Sequence, residues 1–181
     1  MTESITPSKI LLIGLDNCGK TSIVHSLQGI KNLPSFFKIK PTEGLKITKI
    51  QALDSEFTIW DLGGQESFRN EYLKEFKKYV IGYCKLIYVF DVQDKKRYDL
   101  ALEYFEKIID LVKKNSDAEN VEVSIFLHKF DPDLNKTRPD ITKKIYNDLK
   151  EKIREIVEKT NFFYQFFRTT IYAIFEKDFE E

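Results

Sequence analysis

The sequence lacks the features that would assign it to several broad classes of protein. Its 29 basic and 29 acidic residues balance, so the formal net charge is zero and does not favour nucleic-acid binding. We therefore expect no nucleic-acid partner. Two cysteines, Cys18 and Cys84, are too few and too far apart for a disulfide framework or a zinc site. This usage of cysteine is typical of a reducing, intracellular compartment.

Membrane signals are also missing. No apolar run approaches the length of a membrane span, and residues 1–8 are polar, unlike a signal peptide. No glycine follows Met1 and no prenylatable cysteine precedes Glu181. We therefore expect a cytoplasmic protein without a direct membrane anchor, recruited to membranes only through partners. With no repeat or linker, residues 1–8 are interpreted as a tail and 9–181 as one domain.

The sequence does contain an alternation of apolar runs and amphipathic segments, which predicts an α/β fold. Strands are expected at 9–15, 45–52, 57–60, 85–90, 121–127 and 162–168. Helices are expected at 20–28, 71–81, 94–114 and 140–159, with a short one from Ile171. The segment 29–44 contains Pro34 and Pro41 and is expected to be a loop.

A phosphate-binding pattern, G-x-x-x-x-G-K-[ST], occurs at residues 14–21 as GLDNCGKT, between a buried strand and a helix. Glycines let backbone N–H groups face a phosphate, and the helix N-terminus adds partial positive charge. Lys20 is expected to reach the β- and γ-phosphates, and the Thr21 hydroxyl to bind Mg²⁺. The loop also supplies further predicted nucleotide-binding residues, namely Asp16, Asn17, Cys18, Gly19 and Ser22. A chance match is expected roughly once in a hundred chains of this size.

A second motif, WDLGGQ at residues 60–65, ends a predicted strand. Asp61 is positioned to hold the Mg²⁺ shell. The paired glycines allow the N–H of Gly64 to approach a γ-phosphate, and Gln65 is suited to orienting an attacking water. Taken alone, the motif leaves a simple Gly-Gly turn after a strand equally open.

These motifs resemble those of known families. The patterns GLDNxGKT and WDxGGQ are similar to Arf-like GTPases, and PTEG at 41–44 resembles the Arf-type first switch. The second half resembles Rag/Gtr GTPases through LIYVFDV at 86–92, NSDA at 115–118 and LHKFD at 127–131. The resemblance implies a P-loop NTPase fold of the Ras-like G-domain type, with a mostly parallel six-stranded sheet and helices on both faces. It also implies that Thr42 binds Mg²⁺ and senses the γ-phosphate.

The segment HKFD at 128–131 stands where most Ras-like GTPases have Asn-Lys-x-Asp. Asp131 is placed to accept hydrogen bonds from the N1–H and exocyclic amine of guanine, a donor pair that adenine lacks. The stem of Lys129 would cover the base. His128 replaces the usual Asn, as in Rag-type proteins, and two interpretations stay open: a nucleotide-binding residue, or a structural histidine at a strand end. By resemblance, Thr170 and Ile171 belong to the loop that contacts guanine O6.

Five further residues carry less specific predictions. Asp16 stands where many Ras-like proteins have Gly, and its charge would either slow hydrolysis or face solvent. Cys18 is interpreted as a small packing residue, with an oxidisable site as the alternative. Arg69 is expected to be a surface residue of the second switch. The aromatic pair Phe36 and Phe37 would contact the base, an effector or the core.

Together the motifs predict a GTP/GDP switch with slow intrinsic hydrolysis. Lys20, Mg²⁺ and the loop amides would stabilise phosphate charge, while Gln65 positions water and Thr42 and Gly64 respond to the γ-phosphate. With no assignable arginine finger, we expect an activating protein, an exchange factor and effectors as partners, and a dimer is left open.

Two other functions explain the motifs less completely. A non-hydrolysing guanine-nucleotide module in a heterodimer would leave Gln65 and Thr42 without a role. A P-loop kinase or ATPase would leave Asp131 and the GGQ motif unexplained.

Overall fold

The computed structural model describes residues 8–30, 32–52, 55–80, 84–114 and 121–172, and these contain a six-stranded sheet in the order β2-β3-β1-β4-β5-β6. The strands are β1 Ser8–Gly14, β2 Leu45–Ala52, β3 Ser55–Leu62, β4 Cys84–Asp91, β5 Glu122–His128 and β6 Tyr164–Arg168. All neighbouring strands are parallel except β2 and β3, which form an antiparallel hairpin. The predicted α/β fold with a mostly parallel sheet is confirmed.

Seven helices are present in the described residues. They are α1 Lys20–Leu27, α2 Leu33–Phe37, α3 Glu66–Glu75, α4 Lys77–Val80, α5 Tyr98–Lys113, α6 Leu134–Thr137 and α7 Lys143–Val157. A 3₁₀ turn, Lys95–Arg97, precedes α5. Gly29 follows the end of α1 with φ +80°, the left-handed conformation that commonly closes a helix. None of these helices is both long and apolar enough to cross a bilayer.

Several boundaries differ from the sequence predictions. The helix expected from residue 71 begins at Glu66, because the chain turns into α3 directly after Gln65. The segment expected to be a loop contains α2, which has a proline in its first turn, where no N–H is needed. The short helix α6 was not predicted. Residues 53–54 between β2 and β3, the NSDA segment and most of the helix expected from Ile171 lie outside the described residues.

Side chains alternate across the sheet and form two apolar cores. The larger core lies beneath α5 and α7 and includes Phe105, Val112 and Ile153, all fully buried. The smaller core lies beneath α1 and includes Leu12 and Val24. Both faces are covered, which explains why β1 and β4 are continuous apolar runs rather than alternating ones.

The parallel strands end at one edge of the sheet, and this edge positions the candidate site. The carboxyl ends of β1, β4 and β5 are Gly14, Asp91 and His128. The registers Gly14↔Val89 and Asp91↔His128 bring these ends side by side. Ligands of open α/β sheets bind at such an edge, where the strand order reverses.

Candidate functional site

The loop between β1 and α1 wraps over the end of the smaller core. Cys18 is buried there, and burial, which outweighs the opposing charge of Lys20, raises the pKa of its thiol. A buried thiol that resists ionisation reacts slowly, which favours the interpretation of Cys18 as a packing residue. Asn17 and Gly19 have φ values of +57° and +97°, which give the loop its tight curl.

A cleft of about 410 Å³ opens above this loop. It gathers residues from three separate segments, including Lys20, Thr21, Thr42, Gly64 and Gln65. The other predicted nucleotide-binding residues of the loop that line it are Asp16, Asn17, Gly19 and Ser22. The volume lies within the range of small-molecule sites.

Lys20 is nearly fully buried at the base of the cleft, with 5% of its surface exposed. Its Nζ donates hydrogen bonds to the carbonyl oxygens of Gly14, at 3.1 Å, and Leu15, at 2.8 Å. No carboxylate is paired with it among the described residues. The ammonium is therefore held at the start of the loop, on the wall of the cleft, by backbone carbonyls rather than by an ion pair.

Three oxygen-bearing side chains meet at one side of the cleft. Thr21 Oγ1 lies 2.8 Å from Thr42 Oγ1 and donates to Asp61 Oδ2 at 2.7 Å. Thr42 Oγ1 donates to the same carboxylate oxygen at 3.3 Å. The first switch is thereby joined to the phosphate-binding loop and to β3.

The Asp61 carboxylate shows that this cluster suits a cation. Asp61 is 1% exposed, and its Oδ1 has no hydrogen-bond partner in the described residues. Burial raises the pKa of Asp61, although the hydrogen bond from Thr21 and the charge of Lys20 oppose the shift. One buried carboxylate with hydroxyl neighbours fits Mg²⁺, which binds through one or two carboxylates and completes its shell with water and phosphate oxygens.

The second switch packs directly onto the phosphate-binding loop. The carbonyl oxygen of Gly64 accepts hydrogen bonds from the Asp16 amide at 3.0 Å and from Arg69 Nη1 at 2.7 Å. A Cβ on Gly64 would lie 2.5 Å from the Leu15 carbonyl oxygen, so only glycine allows this approach. The neighbouring Gly63 N–H donates to Gly44 O at 2.9 Å, which links both switches.

Arg69 is not the surface residue that the sequence predicts. It is 8% exposed, because its side chain folds from α3 back onto Gly64, and its guanidinium lies over the ring of Tyr104. Arg97, which no motif singled out, donates from Nη1 to Asp16 Oδ1 at 3.0 Å and from Nη2 to Asp16 O at 3.1 Å. The carboxylate of Asp16 is therefore paired rather than turned freely to solvent.

His128 lies beneath the loop, with 2% of its surface exposed. Its Nδ1 is 2.9 Å from Thr169 Oγ1, and its ring adjoins Gly19. Burial, with a smaller contribution from the charge of Lys129, lowers the pKa of His128 to about 4. The ring is neutral at physiological pH and joins three segments, which favours the structural interpretation of this residue.

The remaining residues predicted to bind the base meet around β5 and the loop after β6. Lys129 has φ +60°, and its Nζ contacts Asn17 O at 2.8 Å and Asp91 Oδ2 at 2.6 Å. Asp131 accepts hydrogen bonds from Thr170 Oγ1 and Gln93 Nε2, both at 2.7 Å. Ile171 follows Thr170 in a bend.

Sequence reasoning missed Gln93, whose amide also donates to Lys129 O at 2.8 Å. The one signal for it was its position just after the LIYVFDV strand, at the carboxyl edge of the sheet. In the first switch, Phe36 lies edge-on to the His25 ring, while Phe37 is 86% exposed. A core role is therefore excluded for Phe37.

Known proteins share both the sequence motifs and the fold. The family model described as the Gtr1/RagA G protein conserved region matches residues 9–176. The ADP-ribosylation factor-like protein 3 of Caenorhabditis elegans is 33% identical over 142 residues, which are 78% of this chain and 71% of that protein. The ADP-ribosylation factor 3 of Arabidopsis thaliana is 33% identical over 124 residues, 68% of this chain and 62% of its own length.

A solved structure gives the same picture of the fold. The Arl6 BBS3 small GTPase from Trypanosoma brucei, with bound nucleotide analogue GppNp, superimposes with a TM-score of 0.65. The superposition covers 92% of this chain and 88% of that chain, at 21% identity. At this level of identity the likeness establishes a shared fold.

Proposed function

Since this chain belongs to the Gtr1/RagA family of small GTPases in the Ras superfamily and has Arf-like relatives, we propose that it is a GTP/GDP switch with slow intrinsic hydrolysis, regulated by partner proteins. Members of this superfamily bind and hydrolyse GTP, typically with Mg²⁺. The observation that best supports a switch is the contact between Thr42 and Thr21, which joins the first switch to the phosphate-binding loop. We take residues 9–181 as one G domain in the cytoplasm that reaches membranes through partners.

The hydroxyls of Thr21 and Thr42 and the carboxylate of Asp61 would hold Mg²⁺. When bound, the ion supplies positive charge to the phosphate oxygens. Asp61 is suited to this role because its Oδ1 is buried and has no hydrogen-bond partner in the part of the chain that the structure describes. Thr42 comes from a separate segment, so loss of its ligand would leave the first switch free to move away.

Phosphate binding would depend on Lys20 and the loop backbone. Lys20 brings a buried positive charge to the cleft, and its two carbonyl partners fix the direction of its ammonium group. The N-terminus of α1 begins at the same residue and adds its dipole. Both groups would stabilise negative charge that moves onto the phosphate oxygens during hydrolysis.

Gln65 would orient the attacking water, since it lines the cleft beside Gly64 at the start of α3. Among the described residues no arginine lines the cleft: Arg69 is bound to Gly64 O, and Arg97 to Asp16. The charge that an arginine finger contributes in faster GTPases is thus missing from this site. This is the physical reason for proposing slow turnover and an activating protein.

Guanine would be read by Asp131, with Lys129 covering one face of the base and Thr170 and Ile171 on the adjoining loop. Each Asp131 oxygen already accepts one hydrogen bond, from Thr170 or Gln93, and retains a lone pair for the N1–H and amine of guanine. These two donors fix the carboxylate in orientation before a base arrives. His128 would act indirectly, by supporting the loop at Gly19.

The decisive experiment is nucleotide analysis of the purified protein, followed by single- and multiple-turnover GTP hydrolysis with Mg²⁺. We expect bound guanine nucleotide and slow turnover that Gln65→Leu abolishes. Gln165→Leu, on the exposed side of β6, is the matched control and should hydrolyse GTP as the wild type does. Bound nucleotide without any turnover would contradict the hydrolysis proposal and favour a non-hydrolysing module. Absence of guanine nucleotide binding would overturn the proposal as a whole.

A further inference from the structure

Four charged side chains form a compact cluster beside the cleft: Asp16, Arg69, Asp94 and Arg97. Two are acidic and two are basic, so the cluster has no net charge. Asp16 is its centre, with Arg97 Nη1 at 3.0 Å and Arg69 Nη1 at 3.8 Å from the same carboxylate oxygen. Arg97 also binds Asp94 through Nε, which fixes the direction of its guanidinium.

Arg97 binds Asp16 through two hydrogen bonds. One nitrogen binds the carboxylate and the other binds the backbone carbonyl, so both the side chain and the main chain of Asp16 are held. A planar guanidinium is suited to such a paired contact, and a lysine is not. The amide of the same residue binds Gly64 O at 3.0 Å. Arg97 therefore supports, through Asp16, the point where the second switch meets the phosphate-binding loop.

The charge of Asp16 matters because of its location. Asp16 lines the same cleft as Lys20, Thr42 and Gln65. A nucleoside triphosphate would bring its terminal phosphate to the end of the cleft where the two switches meet. An unpaired carboxylate there would repel that phosphate and would affect a diphosphate much less.

We propose that Arg97 is a positioning residue for the triphosphate state: it neutralises and orients Asp16, so that the carboxylate does not repel the terminal phosphate and the Asp16 amide holds Gly64. This inference rests on the proposed function, because it requires a guanine nucleotide in the cleft. Arg69 contributes to the same cluster, but it is buried and bound to Gly64, so its replacement would also disturb packing. The Arg97 side chain is 29% exposed and can be changed with less damage.

The test is the affinity of the Mg²⁺-loaded protein for GDP and for GppNp in four forms: wild type, Arg97→Ala, Asp16→Asn and the double variant. We expect Arg97→Ala to weaken GppNp binding about tenfold and GDP binding less than about twofold. The double variant should regain a wild-type ratio of the two affinities, because the repelling charge is gone. Lys96→Ala removes a positive charge from an exposed neighbour on the same 3₁₀ turn and should leave the ratio unchanged.

A purely structural role for Arg97 would weaken both nucleotides equally and would not be rescued by Asp16→Asn, and either result would overturn the inference. If Arg97→Ala unfolds, Arg97→Gln keeps a planar polar group without charge and should show the same selective loss. Failure of the proposed function itself has a different signature, since the wild-type protein would then bind neither GDP nor GppNp.

Discussion

The imidazole ring of His128 fills the space beside Gly19 in which a side chain would begin. A Cβ on Gly19 would lie 2.6 Å from His128 Nε2, closer than real Cβ contacts allow. The φ of Gly19 is +97°, a conformation that L-residues with a side chain rarely adopt. The end of β5 thus supports the phosphate-binding loop from below, and the two positions constrain each other.

Gly19→Ala should therefore lower the stability more than a Gly→Ala substitution at another position with a positive φ. Gly29→Ala is a matched control, since Gly29 also has a positive φ, at +80°, but nothing lies within 4 Å of its Cβ position. We expect the free energy of unfolding to fall by about 1 kcal/mol for Gly29→Ala and by roughly 3 kcal/mol for Gly19→Ala. Urea denaturation of both variants measures this, and equal losses would contradict a contact with His128. Only Gly19→Ala should lose guanine nucleotide.

The neutral, buried state of His128 predicts a specific pH dependence of stability. A histidine whose folded-state pKa lies below its unfolded value stabilises the fold fully above the unfolded pKa of 6.5, and this contribution is lost as the pH falls towards about 4. On lowering the pH from about 7.5 to about 5, the wild type should lose about 2 kcal/mol more stability than His128→Asn does. Chemical denaturation at the two pH values tests this. Parallel losses in both proteins would show that His128 titrates normally.

Asp61 should destabilise the protein when no divalent cation is bound. Its pKa is raised by burial. Such a carboxyl group stabilises the fold fully below the unfolded pKa of 3.8, and this contribution is lost as the pH rises through the folded pKa. At neutral pH, Asp61→Asn should therefore raise the stability in EDTA by about 1 kcal/mol, roughly 3 °C in Tm.

The same variant should lose the response to magnesium. Wild-type protein with GDP should gain in Tm on addition of millimolar MgCl₂, whereas Asp61→Asn should gain little. Thermal denaturation with EDTA or MgCl₂ distinguishes the two effects. An equal magnesium response in both proteins would exclude Asp61 from the cation site.

Gln93 should act as a positioning residue for guanine recognition. Its amide holds both Asp131 Oδ2 and Lys129 O, so Gln93→Ala removes two hydrogen bonds that orient the base-reading groups. We expect the ratio of GDP to ADP affinity to fall about tenfold, with little change in Tm. Gln165→Ala is the control at an exposed site, and isothermal titration of GDP and ADP is the measurement. A GDP preference as strong as that of the wild type would assign Gln93 a purely local role.

The central strands could be predicted from the sequence because both of their faces are buried. β1 and β4 are continuous apolar runs, and their ends were located to within one residue. α2 has five residues, too few for a helical period to be visible, and it was assigned to a loop. The start of α3 was placed five residues late, because the glycine pair before it reads as a turn and no side-chain cap marks the first residue.

Motif residues could be located from the sequence, but their supporting partners could not. Lys20, Thr21, Thr42 and Asp61 stand in recognisable patterns, and the structure brings them together around one cleft. Arg97 contacts Asp16 across 81 positions of sequence, and no local pattern reveals such a contact. Arg69 is charged, so the sequence predicts that it is exposed. Its guanidinium is buried because it binds a backbone carbonyl that only the folded chain places beside it.

The rim of the cleft is held by hydrogen bonds between segments distant in sequence: Thr42 to Asp61, Gly63 to Gly44, and Asp16 to Gly64. Each link is individually modest, about 1 kcal/mol, but opening the cleft would require several of them to break together. The residence time of a bound nucleotide would then depend on the rim as well as on the contacts to the nucleotide itself. A partner protein that separates Gly64 from the phosphate-binding loop would shorten this residence time without contacting the base.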